Sequence, residues 1–85
     1  MIKLYSIYDK IADEFGFPFD AKNDDVAIRK FNGFIRQINS APNSCVDVSE
    51  FQLYHIGEYD NEKGVLYGGA IPNLIDLLNT EVNHE

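Results

Sequence analysis

The stretch from Asn23 to Ser40, NDDVAIRKFNGFIRQINS, constrains the fold more than any other. Ala27, Phe31, Phe34, Ile35 and Ile38 recur at helical spacing and draw one apolar stripe, flanked by Val26 and Ile28. Asn23 or Asp24 can cap the free N–H groups of the first turn, and the Asp24–Asp25 pair suits the positive end of the helix dipole. Pro42, within the polar run Asn39–Ser44, stops the helix. Gly33 lies in the interior, at a cost of about 1 kcal/mol relative to Ala, and reads either as a site of close packing or as a tolerated weak point. A helix with a single apolar stripe needs a second layer to cover it.

The rest of the chain supplies strands for that layer. Residues 2–9 alternate, with Ile2, Leu4, Ser6 and Tyr8 on one side and Lys3, Tyr5, Ile7 and Asp9 on the other. A second strand is expected in FPFDAK, after a turn at Gly16, with Pro18 at its start or at an edge. FQLYHIGEYD (51–60) reads as a third strand, NEKG as a turn with Gly64 at positive φ, and VLYGG as a fourth strand. IPNLIDLLN, with Pro72 in the first turn, is expected to form a short C-terminal helix, and residues 80–85 a frayed tail.

The strand KLYSIYD (3–9) is echoed by QLYHIGEYD (52–60), each with Leu-Tyr-x-Ile and a later Tyr-Asp. One reading is two similar ββα halves whose first strands lie together in one sheet, Leu4 sharing a face with Leu53, and Tyr5 and Ile7 facing the same way as Tyr54 and Ile56. The other is that two half-buried strands converged on the same β-prone residues. The expected fold is α+β: two antiparallel hairpins in one sheet packed on one amphipathic helix, with a short C-terminal helix (ββα-ββα).

Eighty-five residues make one expected domain, 1–85, with a thin core. Six Phe and five Tyr, with no Trp, carry much of the burial, and a homodimer is expected because pairing two copies covers surface that one cannot. The single cysteine, Cys45, cannot form an internal disulfide and reads as a bystander thiol. The N-terminus has no long apolar run and no window approaches a membrane span, so no signal peptide and no membrane partner are expected.

The net charge is −7, a poor starting point for phosphate binding, yet the charge is uneven. Lys22, Arg29, Lys30 and Arg36 gather in one segment that holds only two acids, Asp24 and Asp25. Arg29 and Arg36 fall on one side of the helix, opposite much of the apolar stripe, with Lys30 adjacent. Arginines in a row can grip phosphates or carboxylates, so Lys22, Arg29, Lys30 and Arg36 are the candidate contacts for nucleic acid or another acidic partner. The alternative is a solvated face pairing with local acids. Tyr5, Tyr8, Tyr54 and Tyr59, with Tyr67, offer either a stacking platform for unpaired bases or a dimer interface.

Nothing points to catalysis. His55 sits alone in the third strand and His84 in the tail, so no metal site and no cofactor are expected. Gly68-Gly69 is not a phosphate-binding loop, and Asp60-Asn61-x-x-Gly64 lacks the ligand set of a calcium loop. The carboxylates Asp9, Asp13, Glu14, Asp20, Glu58, Asp60 and Glu62 read as surface groups without a nucleophile or pocket. No enzymatic activity and no small-molecule substrate are expected.

KLYSIYDKIADEFGFPFDAKNDDVAIRKF (3–31) resembles the opening of the small nonstructural protein of microviruses, in particular the gokushovirus type. LYHIGEYDNEKGVL (53–66) is similar to that family's later Leu-Tyr-x-x-Gly-x-Phe/Tyr-Asp-x-x-x-Gly segment. The resemblance implies a virus-encoded, non-capsid protein of a single-stranded-DNA phage, acting in the host bacterial cytoplasm. It implies a role in genome replication or packaging, by binding single-stranded DNA or the phage replication machinery. It places Arg29 in the helix and Asp60 in the hairpin turn, with no catalytic role attached. The acidic chain departs from the basic packaging peptides of related phages, which leaves a second reading: an acidic module that captures a host factor, in an anti-host or DNA-mimic role.

Overall fold

The computed structural model describes residues 1–42, 46–75 and 77, with the backbone alone at 69–71. The element order is β1 (Ile2–Asp9), β2 (Glu14–Phe15), β3 (Phe19–Ala21), α1 (Asp24–Asn39), β4 (Phe51–Asp60) and β5 (Val65–Leu74), with a short 3-10 turn at Val48–Glu50. The strands form one curled antiparallel sheet in the order β2-β1-β4-β5, and β3 pairs with β1 beyond β2. The fold is α+β, with the one described helix laid across one face of the sheet.

Local chemistry sets the helix ends. Asn23 Oδ1 accepts from the Val26 N–H at 2.9 Å, and Asp24 and Asp25 occupy the first turn. At the other end the Ser40 hydroxyl donates to the Gln37 carbonyl at 2.8 Å. The Asn39 amide then clamps the return of the chain, accepting from Val46 N–H at 2.7 Å and donating to its carbonyl at 3.2 Å.

The core lies between α1 and the sheet. Ala27, Ile28, Phe31 and Ile35 meet Tyr5, Ala21, Phe51 and Leu53, all buried. Phe31 and Leu53 are fully buried, each contributing about 1.5–3 kcal/mol of hydrophobic stabilisation. Phe34 sits at the edge of the stripe, 37 % exposed, its ring edge-on to Phe51 at 5.6 Å.

The duplicated strands do lie side by side, and the repeated Tyr-Asp has a structural purpose. Asp9 Oδ1 accepts from the N–H groups of Ile11 and Ala12, and Asp13 N–H returns to the Asp9 carbonyl at 2.7 Å. Asp60 does the same for Glu62, Lys63 and Gly64. Both turns end in a left-handed residue, Asp13 at φ 58° and Gly64 at φ 68°. Each aspartate thus organises a turn of one design, since a short carboxylate can satisfy N–H groups two and three residues ahead. The first hairpin reverses here rather than at Gly16, whose N–H stays bonded to the Ile7 carbonyl at 2.8 Å. Buried Ser6 donates to the Gly16 carbonyl at 2.8 Å, so the kink between β2 and β3 is tied on both backbone groups.

The expected face assignment is corrected. β1 and β4 run antiparallel with Tyr5 opposite His55 and Ile7 opposite Leu53, so Leu53 shares the helix-side face with Tyr5 and Ile7, not with Leu4. Tyr54 pairs with Ser6 on the open face. Ile56 is an extra residue in β4, because Leu4 pairs with Gly57 and Tyr5 with His55. One inserted residue reverses which face each later side chain takes. Residues 69–72 bulge from β5 opposite the same point. A Cβ on Gly57 would lie 2.5 Å from the Tyr67 carbonyl oxygen, so only glycine lets the strands meet there.

The expected C-terminal helix is also corrected at 71–74. Those residues continue β5: Asn73 pairs with His55, Leu74 with Tyr54, and Ile75 N–H donates to the Leu53 carbonyl at 2.9 Å. Pro72, which has no N–H to give, falls within the bulge, a position that demands no ladder donor. Cys45, His84, Asp76, 78–79 and the expected tail at 80–85 lie outside the described residues.

Candidate functional site

Helix geometry separates the four candidate cations. Arg29 and Arg36 are seven residues apart, two turns, and stand about 10 Å from each other along the outer side of α1. Both are exposed, and no hydrogen bond or ion pair ties either to another described residue. The Arg36 guanidinium lies over Gly33, with Nη2 4.0 Å from where a Cβ would stand. Gly33 has no other close neighbour at that point, so it is a tolerated weakness rather than a packing site. Lys22 is exposed in the segment that leads into the helix. Lys30 is turned away: its ammonium donates to the Asp20 carbonyl at 2.7 Å, on the side of the helix that faces β3. Lys22, Arg29 and Arg36 are exposed and carry no carboxylate partner among the described residues.

The tyrosines are divided by the sheet. Tyr5 lies fully buried beneath α1, 6.0 Å from Phe19 and 5.2 Å from His55 between ring centroids. Its hydroxyl donates to Asp24 Oδ1 at 2.6 Å. Burial first, and the Asp24 bond next, hold its pKa well above the ordinary tyrosine range. Tyr5 is therefore absent from any stacking surface. On the opposite, helix-free face Tyr8, Phe15 and Tyr54 form a cluster, with centroid distances of 4.8 Å for Tyr8–Phe15 and 5.3 Å for Phe15–Tyr54. The Tyr8 hydroxyl donates to Asp13 Oδ1, which raises its pKa. Tyr59 lies on that face beside Ile2 and Leu66, whereas Tyr67 pairs with Glu58.

The arginines and the aromatic cluster thus occupy opposite sides of the molecule. Pairing register places Ile2, Leu4, Ser6, Tyr8, Gln52, Tyr54 and Tyr59 on the open face, with no lysine or arginine among them.

Sequence reasoning missed a groove beside α1. It has a volume of about 470 Å³ and is walled by Ile7, Phe17, Phe19, Phe34 and Phe51, with Phe15 at its edge. Asp9 and Glu14 stand at its margin, with Lys30 also lining it. The alternation of Phe15, Phe17 and Phe19 around Gly16 and Pro18 was the available signal; the contributions of Phe34 and Phe51 come from distant elements.

His55 is half-buried, and its Nε2 is enclosed without a hydrogen-bond partner among the described residues. No helix of the described residues is long and apolar enough to cross a membrane. No curated protein and no solved structure matches this chain. A family model described as Phage ORF5 protein matches residues 2–80, nearly the whole length. The chain belongs to the Phage ORF5 protein family.

Proposed function

We propose that this phage protein is a nonstructural accessory factor of the microvirus, gokushovirus type, and that it works in the host bacterial cytoplasm by binding rather than by catalysis. In this reading it serves genome replication or packaging by contacting single-stranded DNA, or an acidic surface of the replication machinery, through Lys22, Arg29 and Arg36. The supporting observation is the placement of Arg29 and Arg36: one exposed helix side, about 10 Å apart, with no described carboxylate paired to them. The remaining surface is acidic and opposes non-specific coating of a genome, so contact is confined to this strip.

A homodimer belongs to the same proposal. Its interface is the open face of the sheet, around Tyr8, Tyr54 and Tyr59, which leaves both arginine strips outward. Fluorescence anisotropy of a labelled oligothymidylate tests the DNA contact. Saturable binding that is lost in Arg29→Ala/Arg36→Ala is expected. Equal binding by that variant, or none by the parent at low salt, overturns it in favour of an acidic module that captures a host factor. Light scattering tests the dimer, with Tyr59→Glu expected to give monomers.

A further inference from the structure

Phe17, Phe19, Phe34 and Phe51 wall one groove, with Phe15 at its edge, where its ring joins the Tyr8–Tyr54 cluster of the other face. Phe31 lies elsewhere, fully buried in the core. Phe17 is 95 % exposed at the mouth, and Phe15 and Phe34 are 46 % and 37 % exposed. An exposed phenylalanine on a loose loop would mean little. Here its neighbours are held: the Gly16 N–H and carbonyl are both bonded, to Ile7 and to Ser6, and Pro18 fixes φ on the other side. The chain therefore holds a large apolar side chain in water on a tethered backbone, facing an aromatic floor. Contiguous exposed apolar surface of this kind marks an interaction site.

The charge at the margin selects among occupants. Asp9 and Glu14 are directly opposite each other across the β1–β2 pair. Like charges in that position destabilise a sheet. One Asp9 oxygen is occupied by the turn N–H groups of Ile11 and Ala12, while exposed Glu14 accepts no hydrogen bond from a described residue. A cation seated here would relieve the repulsion. Lys30, the cation of the groove itself, has its ammonium on the Asp20 carbonyl and lends the groove its aliphatic stem.

We propose that the groove receives a protein partner through a large apolar side chain carried next to a Lys or Arg. The apolar anchor enters between Phe17 and Phe34, and the neighbouring cation meets Asp9 and Glu14. The volume of about 470 Å³ falls within the range of roughly 300–1,000 Å³ typical of ligand sites. Nucleic acid is disfavoured, because its phosphates would meet the two carboxylates. A second copy docking groove to groove would set carboxylates against carboxylates. The chain's own residues 78–85, LNTEVNHE, bring two glutamates and no Lys, Arg, Phe, Tyr or Trp. A basic, apolar segment of another protein fits both halves of the site. This inference is independent of the DNA-binding proposal, which uses the other side of α1.

The test is selection of a bead-displayed random dodecapeptide library on the full chain, followed by anisotropy with the labelled winners. Enriched peptides should pair an aromatic or branched aliphatic residue with a nearby Lys or Arg. Phe17→Ala should weaken them by about tenfold or more, the loss expected for an anchor contact. Phe17 packs on little, so the melting temperature of that variant should stay unchanged and folding is not in question. Glu14→Gln should weaken binding severalfold, and Arg29→Ala/Arg36→Ala should leave it intact. No enrichment, winners without a cation, or insensitivity to Phe17→Ala overturns the proposal. So does a concentration-dependent dimer that Phe17→Ala dissolves, which would make a second copy the occupant.

Discussion

Replacing Gly57 with alanine should be the most disruptive single-methyl change in the sheet. The added Cβ would lie 2.5 Å from the Tyr67 carbonyl oxygen and 3.2 Å from Gly68 Cα. Both obstacles are backbone, so no side chain can swing aside. Relief requires the paired strands β4 and β5 to separate by nearly an ångström, at the point where Ile56 and residues 69–72 already interrupt the ladder. Overpacking costs about 1–3 kcal/mol, and a rigid obstacle puts this case near 3. A chain of this size has a stability of roughly 4–13 kcal/mol, and each kcal/mol shifts its melting temperature by about 4–8 °C. Gly57→Ala should therefore melt at least 10 °C (roughly) below the parent in circular dichroism. Gly68→Ala is the control: its Cβ would meet only the Ile56 carbonyl, at 3.9 Å, an ordinary contact. That variant should melt within a few degrees (about) of the parent. If Gly57→Ala is neutral, or if both variants fall equally, the close approach of the two strands is not what requires glycine here.

Gly33→Ala should stabilise by roughly 0.5–1 kcal/mol, because an interior helix position gains alanine's propensity and the new methyl meets only the far end of Arg36; urea denaturation measures it. Tyr5→Phe removes a bond to a charged acceptor and should cost about 1–2 kcal/mol at neutral pH. The same residue predicts alkaline behaviour. Its pKa is raised in the folded state, so the contribution is complete below the unfolded tyrosine pKa near 10 (roughly) and fades as pH rises above it. Stability of the parent should fall between about pH 10 and 12, and Tyr5→Phe should flatten that fall; a Tyr5→Phe curve as steep as the parent's would remove Tyr5 as its source.

The helix was readable in advance because its signals are local: Asn23 and the acidic pair at one end, the apolar stripe, and Pro42 beyond the other. The pairing of the two Leu-Tyr-x-Ile strands was readable as well. Their facing was not, since it depends on antiparallel register and on Ile56, whose insertion leaves no mark in the local pattern. IPNLIDLLN looked helical from its spacing and Pro72, yet pairing of Asn73 and Leu74 with β4 kept 71–74 extended. The Arg29–Arg36 alignment follows from helical periodicity alone. Lys30 belonged to the same sequence cluster, but one residue's rotation of about 100° carries it round to β3. The phenylalanine groove joins four separate segments, and such a constellation exists only after folding.

The salt dependence of binding tests the arginine strip most directly. Each phosphate neutralised on a single strand contributes about −0.7 to the slope of log K against log salt. Contacts from Lys22, Arg29 and Arg36 predict a slope near −2, and Arg29→Ala/Arg36→Ala should bring any residual binding to about −0.7. A parent slope close to zero, or one that the double substitution leaves unchanged, would contradict the assignment of phosphate contact to this helix face.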